Sequence, residues 1–509
     1  MLINHAERAP GASTCILHAP SIRALVEQTY EGMLDGQYPD HTKLLLFFAL
    51  FGLATLDATR RLLHTLDTTQ DQATAALKTY TQLGCFIAAQ PQIQPSTNAL
   101  IGIWILHRLC TCESGHSVEA HLLRARGILM ARGMQIQWLD TPRAREERRL
   151  KGCDVVELEV KRRLWWMMVA TDWVVAYSTG PQAGTYLFHP KHMCVHLPTN
   201  ADDEHITPDG ISHVQPTTEP TVVVGIIYRV GFATLCRETV DALPSAMFEG
   251  LEPDYSVILS LNARWQEYLR GLPTFYQMDP ESIRQSEKIC AQRPDIAFQR
   301  TTANVATHTQ LCRLHRPYHL KAFKNQKYLP SRQACVRSAQ ALLNLRRPMD
   351  GERDSSPAQT PNTFRVAVPH LLMAALTLAA DTFFNPTAPD ADAREARILT
   401  AYDILENATE ESCGFRLNNL RTLMSMLGNR QPAALPQPGS LLASSDGRGT
   451  PFERQTFDSI LFRGIGQETL NERGPWNQNW PQLWSEFLVV APGLDLKYWD
   501  ILFDGPDGV

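Results

Sequence analysis

The chain has 509 residues and a formal net charge of −5, from 48 basic and 53 acidic side chains. Hydrophobic residues make up 44% and charged residues 20%, which is enough apolar surface for a folded core and excludes wholesale disorder. The near balance of charge excludes a chain that is basic throughout and binds nucleic acid by charge alone. The length suits three domains or one large body.

Signals for secretion and membrane insertion are missing from the sequence. No long apolar run follows a basic start at the N-terminus, so we predict no secretory signal. The most apolar stretch, 44–56, is too short to cross a bilayer, and we predict no membrane partner. The 11 cysteines are scattered and odd in number, which favours reduced thiols in a cytosolic or nuclear protein.

Apolar residues recur at helical spacing through most of the chain, and strand-like alternation is almost absent. We therefore predict an all-α fold, a large body of helical hairpins. The predicted helices are 21–34, 42–66, 70–89, 96–112, 118–133, 157–178, 222–243, 257–272, 297–323, 331–345, 365–384, 393–410 and 417–427. The β-branched segment 221–227 is also compatible with a strand.

The helix that starts at Val118 shows how the pattern is interpreted. Its apolar residues recur at i, i+4, i+7 and i+11 and predict one buried face, made of Val118, Leu122, Ala125 and Leu129 with Ile128 beside it. Ser117 is a typical N-cap, and Gly133 is a typical helix stop.

Prolines, glycines and polar residues divide the chain. The segment 180–220 is predicted to be a long irregular crossing, and 349–362 a polar insertion. We predict four regions: an N-terminal extension (1–20), the helical body (21–430), a Pro/Gly/Ser-rich linker (431–451) and an acidic, aromatic tail (452–509).

A basic run at 143–163 holds eight basic and five acidic residues. We favour a solvated helix face with i,i+4 ion pairs, and a nucleic-acid patch is the alternative. At its end, the apolar residues of 161–172 surround the whole helix and predict a central, buried helix, with the lining of a ligand pocket as the alternative. We expect Arg162 or Arg163 to reach a carboxylate on a neighbouring helix, whereas Asp172 is too far along and needs another partner.

Metal and catalytic signals are weak. Candidate metal ligands cluster in the crossing segment at His189, His192, Cys194, His196, Asp202, Asp203 and His205. Their spacing fits no known zinc knuckle, so we favour a polar surface loop and predict no metal. The motifs G-x-S-x-G, G-x-x-x-x-G-K-[ST], G-x-G-x-x-G and H-E-x-x-H are missing, so no catalytic residue is assigned and no cofactor is predicted.

Three sets of residues, taken in order, resemble the regulatory middle-homology domain of fungal zinc-cluster transcription factors. The first set is Ala120, Arg124, Ala125, Gly133 and Met134. The second is Arg162, Arg163, Trp165, Trp166, Asp172, Gly180, Pro181 and the run 197–203. The third is the run 314–318, Leu-His-Arg-Pro-Tyr, followed by 331–339. The resemblance covers about 20–430 and implies an all-α regulatory domain whose interior receives small molecules in some members.

The sequence also departs from that family. The family's DNA-binding module is an N-terminal six-cysteine zinc cluster, whereas Cys15 is the only cysteine before Cys85 here. Gly180-Pro181 also lacks the arginine that the family places between the two residues. We therefore expect this chain to contact DNA only indirectly or through a missing module.

The tail carries Trp480, Trp484, Phe487 and Leu488 at the i, i+4, i+7, i+8 spacing of one helical face, among several acidic residues. Such a segment can dock into a coactivator groove, or it can fold back and cap the body.

From the resemblance we predict a transcription regulator of a fungal pathway, most plausibly a secondary-metabolite gene cluster. It would act in the nucleus, with the cytoplasm as the alternative. Its partners would be coactivators or another DNA-binding regulator, and its ligand a small hydrophobic molecule. The alternatives are a pathway enzyme or metabolite-binding protein that reuses the same helical fold, and an interaction scaffold.

Overall fold

The computed structural model describes residues 2, 14–56, 58–114, 117–178, 182–243, 253–345, 361–385 and 390–407. Within these residues the regular structure is helical apart from one two-stranded ribbon, so the all-α prediction is confirmed. The predicted helix at 417–427, the linker at 431–451, the tail at 452–509 and the pair Gly180-Pro181 lie outside the described residues.

The α-helices are α1 (Ala19–Leu34), α2 (His41–Leu56), α3 (Arg60–Thr65), α4 (Gln70–Ala88), α5 (Thr97–Ser114), α6 (Val118–Gly133), α7 (Pro142–Lys151), α8 (Val155–Ala176), α9 (Val224–Ala242), α10 (Tyr255–Gly271), α11 (Pro280–Gln285), α12 (Glu287–Gln292), α13 (Pro294–His319), α14 (Leu329–Asn344), α15 (Pro361–Phe384) and α16 (Ala391–Asn407). The strands β1 (Ile206–Thr207) and β2 (Gly210–Ile211) pair antiparallel. Short 3-10 turns lie at Thr14–Ile16, Ile136–Trp138, Pro190–His192, Asp203–His205, Thr274–Tyr276, Leu320–Phe323 and Gln326–Tyr328.

Short polar side chains set many of the helix starts. The Ser117 hydroxyl accepts a hydrogen bond from the Ala120 amide at 3.3 Å, so the predicted N-cap of α6 is confirmed. The predicted single helix 42–66 is wrong, because α2 ends at Leu56 and α3 begins at Arg60. The Thr59 hydroxyl caps this second start by accepting from the Leu62 amide at 3.2 Å.

Neighbouring helices pack as successive hairpins. Helix α2 packs against α4 and α5, α5 against α6, α8 against α9, α13 against α14, α14 against α15, and α15 against α16. One apolar cluster runs from the turn at Thr14–Ile16 through α2, α5, α8 and α9 into α13. The packing of α4 on α5 is close, because a side-chain carbon added to Gly84 would lie 2.6 Å from Leu106 Cδ2.

Helix α8 is the central helix that the sequence predicts. Leu164, Met168 and Ala170 have no exposed surface, and Trp165 is 2% exposed. Trp166 is half-buried at the edge, where its indole N–H donates to the His196 carbonyl at 2.8 Å. The helix is therefore enclosed on nearly every side along its middle turns.

The predicted buried face of α6 is wrong. Val118, Leu122 and Leu129 are 70%, 65% and 68% exposed, respectively. The face that turns inward instead carries Arg124, which pairs with a buried aspartate on α8, and Gly127, where an added side-chain carbon would lie 3.4 Å from Ile103 Cγ2. Leu123, Ile128 and Met130 are buried on the same inward face, so the helix is turned away from the predicted orientation and only Ile128 of the predicted apolar set is buried.

The crossing segment is irregular, as predicted, over its described part, 182–220. The Asn200 side chain organises it by donating to the carbonyls of Gln215, Pro216 and Glu219. The strand alternative for 221–227 is wrong, because residues from Val224 onward form α9. Among the described helices, none combines the length and apolarity that a membrane span needs.

Candidate functional site: a buried charge framework and an aromatic cavity

The Arg163 side chain, near the start of α8, has no exposed surface. Its Nη1 lies 2.8 Å from Asp203 Oδ1 and donates to the Leu17 carbonyl at 2.7 Å. The other oxygen of Asp203 accepts from the Ala19 amide at 2.9 Å, at the first residue of α1. One buried ion pair therefore joins α8, the crossing segment and the N-terminal segment.

The neighbouring Arg162 points to a second carboxylate cluster. It donates to Asp140 at 2.5 Å and 3.0 Å and to Glu159 at 2.5 Å. Asp140 also accepts from the His196 amide at 2.8 Å, and Glu159 from the Thr199 amide at 2.9 Å. Burial raises the pKa of Asp140, but the hydrogen bonds from Arg162 and His196 outweigh it, and the net shift is downward.

Asp172 pairs with Arg124, which is the separate partner that we expected from the sequence. The Arg124 guanidinium of α6 lies 2.5 Å from it, and the backbone amides of Leu187 and Phe188 donate to its other oxygen at 2.6 and 2.9 Å. Burial raises the pKa of Asp172 and lowers the pKa of Arg124, against the opposing effect of the pair itself. The Arg124–Asp172 pair therefore connects α6 and the crossing segment to the end of α8. Together with the pairs of Arg162 and Arg163, it forms what we call the buried charge framework.

The arginine pairs on α8 confirm the prediction that a carboxylate would be reached, but Asp140 and Asp203 lie in turns and loops rather than on neighbouring α-helices. The solvated-face interpretation of 143–163 holds for α7, which has no buried residue and carries the exposed pairs Arg149–Glu146 and Lys151–Glu147. It also holds for the i,i+4 pair of Lys161 with Glu157. The interpretation is wrong for the end of the run, because Arg163 is fully buried and Arg162 is half-buried against Asp140 and Glu159.

Three of the seven candidate metal ligands have separate structural roles. His189 caps the turn at Pro190–His192, Asp203 pairs with Arg163, and Asp202 accepts from the Val222 amide at 3.0 Å and pairs with Arg293. Over the part of the chain that the structure describes, no three His, Cys, Asp or Glu side chains converge as a metal site requires.

Residues of the third family-like set also meet in the core. His315 Nδ1 lies 2.9 Å from Ser331 Oγ, and its Nε2 lies 2.9 Å from Asn262 Oδ1. The Tyr255 hydroxyl lies 2.9 Å from the same Ser331 oxygen. A serine next to a histidine suits nucleophilic chemistry, but Ser331 has no exposed surface and so no substrate reaches it in this structure. The cluster fixes α10, α13 and α14 to one another.

A fourth charged cluster, centred on α15, was not predicted from the sequence. Asp381, which has no exposed surface, pairs with Arg332 of α14 at 2.7 Å, with Arg394 of α16, and with His319 of α13 at 3.1 Å. These charges hold the pKa of Asp381 well below its usual range, although burial alone would raise it. The only sequence signal was an aspartate at the end of the mostly apolar run 371–380.

A partly open cavity with a volume of about 90 Å³ lies where α9, α10 and α13 meet. Its walls are largely aromatic, and its polar side chains come from α9 and α13. The lining consists of Cys15, Gly225, Tyr228, Arg229, Phe232, Tyr268, Tyr276, Phe298, Gln299, Thr302, Ala303 and Ala306.

Hydrogen bonds hold the walls of this cavity in place. The Tyr268 hydroxyl donates to the Tyr228 carbonyl at 3.0 Å, and the Tyr276 hydroxyl donates to Gln299. Burial and the charge of Arg108 lower the pKa of Arg229 to about 10, so this guanidinium remains cationic at neutral pH. The cavity therefore combines planar apolar walls with one buried positive charge, a pattern typical of a small-molecule site.

The buried histidines of the α13 region predict a pH-dependent stability. Burial lowers the pKa values of His315 and His370 to about 4, whereas an unfolded histidine titrates near roughly 6.5. The unfolded chain therefore binds more protons between these values, and the free energy of unfolding should fall as the pH drops from 7 to 5. Each histidine contributes about 2 kcal/mol of this loss between pH 7 and pH 5.

Urea unfolding at pH 7 and pH 5 checks this prediction. The variant His315→Gln should lose less stability on acidification than the wild type. His41→Gln changes an exposed histidine and should behave like the wild type. Equal losses in His315→Gln and in the wild type would contradict the burial argument.

Comparisons with known proteins place this helical body among transcription factors. The chain is 28% identical to the probable transcription factor lepB of Aspergillus flavus over 506 residues, which cover 97% of this chain and 88% of the relative. It is 28% identical over 397 residues to the agnestins biosynthesis cluster transcription factor AgnL11 of Paecilomyces divaricatus, covering 78% of this chain and 56% of that protein. It is 25% identical over 348 residues to the transcription factor TAS2 of Pyricularia oryzae, covering 65% of this chain and 42% of that protein.

No family profile and no solved structure matches the chain. The names of these relatives agree with the family that the sequence motifs resemble. By its sequence similarity and its all-α body, the protein is a homologue of fungal transcription factors, and this relationship supports a role as a transcription regulator of a fungal pathway.

Proposed function

We propose that the protein regulates the transcription of a secondary-metabolite gene cluster in the nucleus of a fungus. The observation that carries the proposal is the similarity to a probable transcription factor along 97% of the chain. A second relative is named for a biosynthesis cluster, which supports a pathway-specific role. The buried positions of the framework charges favour a structural role for them over nucleic-acid contact, which supports action through partner proteins or a separate DNA-binding module.

The proposed contact to the transcription machinery is the tail at 452–509. Trp480, Trp484 and Phe487 have the spacing of one helical face, and acidic residues accompany them in the sequence. An amphipathic face of this kind docks into an apolar coactivator groove, where buried tryptophans contribute most of the binding free energy.

A reporter assay tests this function with the full chain fused to an unrelated DNA-binding module. The fusion should activate the reporter, and Trp480→Ala with Trp484→Ala should silence it, because each lost ring weakens coactivator binding by about 2 kcal/mol, or about 30-fold. Tyr498→Ala with Trp499→Ala removes as many aromatic rings outside the spacing and should leave most of the activity.

A silent wild-type fusion that is expressed and folded would contradict the proposed function. So would equal activity in the two double variants, because the spacing would then have no role.

The proposed regulatory input is a small, mostly apolar molecule with an anionic group, bound in the cavity beside Arg229. The aromatic walls formed by Tyr228, Tyr276 and Phe298 suit a planar ring. A carboxylate or phenolate could form an ion pair with the Arg229 guanidinium in the cavity wall. The cavity volume of about 90 Å³ is smaller than the roughly 150 Å³ of a cavity that binds benzene, so a single-ring compound would need the side chains at its mouth to move.

Benzoate and toluene are the probes for this site, because they share a ring and differ in charge. Benzoate should raise the melting temperature of the full chain more than toluene does, and Arg229→Met should abolish the difference. Ala303→Leu fills the cavity and should remove both effects, whereas Ala75→Leu makes the same change on the exposed surface of α4 and should retain them.

Equal responses of the Ala303→Leu variant and the wild type would place the binding elsewhere and contradict the proposed site. The metabolite-binding alternative, in which the chain has no regulatory role, predicts the same ligand response together with a silent reporter.

A further inference from the structure

An apolar stripe lies on the outside of α6 and is formed by Val118, Leu122, Ala125 and Leu129. The three larger side chains are 65% to 70% exposed, and Ala125 is exposed as well. Single exposed leucines are ordinary on protein surfaces, but an aligned row along one helix is typical of an interaction surface. We call this row the α6 stripe.

The spacing of the α6 stripe is that of a coiled-coil seam. In steps of four, three and four residues, Leu122 and Leu129 take the a positions of a heptad, and Val118 and Ala125 take the d positions. The helix has 16 residues and is about 24 Å long, so it presents two heptads. A seam of this length needs a second helix with the same spacing to cover it.

We propose that the partner is the α6 stripe of a second copy of this chain, packed antiparallel about a twofold axis. In this arrangement Val118 lies against Leu129 of the second copy, and Leu122 lies against Ala125. Large side chains then face smaller ones, so the two rows interdigitate. A twofold interface uses the same surface on both copies. The α6 stripe is suited to this, because its larger side chains face its own smaller ones when two copies pair.

The charges beside the stripe specify the antiparallel direction. Glu119 and Arg126 flank the same edge, seven residues apart at successive e positions, with Glu119 exposed and Arg126 half-buried. Antiparallel pairing brings Glu119 of each copy beside Arg126 of the other, which makes two ion pairs of opposite charge. Arg126 already donates to the Gln90 carbonyl of its own chain at 2.8 Å, and this contact holds its side chain at the edge of the stripe.

The size of the surface sets the expected strength. Stable dimers bury about 1,200–2,000 Å² in total, and one pair of short helices buries less than that. We therefore expect a reversible dimer with micromolar affinity. This inference is independent of the proposed function, because it concerns only the outer face of α6.

Sedimentation velocity of the full chain over a range of concentrations tests the proposal. The wild type should shift from monomer to dimer, and Leu122→Glu should remain monomeric. Leu150→Glu alters an apolar residue of α7 that is 70% exposed and should dimerise like the wild type. Circular dichroism of every variant should show an unchanged helix content.

Charge reversal tests the antiparallel arrangement. Glu119→Arg and Arg126→Glu should each weaken the dimer about tenfold, because each breaks both symmetric ion pairs. The double variant Glu119→Arg with Arg126→Glu restores opposite charges and should recover the affinity of the wild type. The double variant also controls for the loss of the Arg126 contact to Gln90.

Three results would overturn the proposal. The first is a full chain that stays monomeric at every concentration, as expected if another segment of the same chain covers the stripe. The second is a dimer that Leu122→Glu leaves intact. The third is a charge-reversed double variant that is no tighter than either single variant.

Discussion

The fold depends on a guanidinium that has no contact with water. Arg163 lies inside the protein, near the start of the central helix, and a charge in that position is costly unless a carboxylate and hydrogen bonds compensate it. Asp203 and the Leu17 carbonyl supply that compensation. Asp203 also accepts a hydrogen bond from the Ala19 amide. The ion pair therefore fixes where α1 begins and where the crossing segment passes over α8. Three segments that are distant in the sequence thus meet at one charge.

The same principle recurs along the body with different residues. The Arg124–Asp172 pair and the Arg162–Asp140 pair attach the crossing segment to both ends of α8, and Asp381 gathers the ends of the last helices. Most of the family-like motif charges are therefore used for folding. The features available for function lie off this framework, in the aromatic cavity beside Arg229 and on the outer face of α6.

Helical periodicity was sufficient to predict the all-α class, most helix positions and the buried central helix, because these depend on local spacing of apolar residues. It failed for α6, where two faces could be buried and the choice was made by Arg124 and its distant partner Asp172. The cavity could not be predicted from the sequence either, because its lining residues Tyr228, Tyr268 and Phe298 come from separate helices. The ribbon of β1 and β2 was missed because two residues per strand leave no alternation to detect.

The central claim is that Arg163 and Asp203 act as one buried structural unit, and a double-mutant cycle tests it most directly. Arg163→Met keeps the length of the side chain, and Asp203→Asn keeps an acceptor for the Ala19 amide. Urea unfolding should show a loss of about 3 kcal/mol for each single variant, because each leaves an uncompensated buried charge. The double variant should lose clearly less than the sum of the two. Losses that simply add would contradict the account, because the two charges would then stabilise the protein independently.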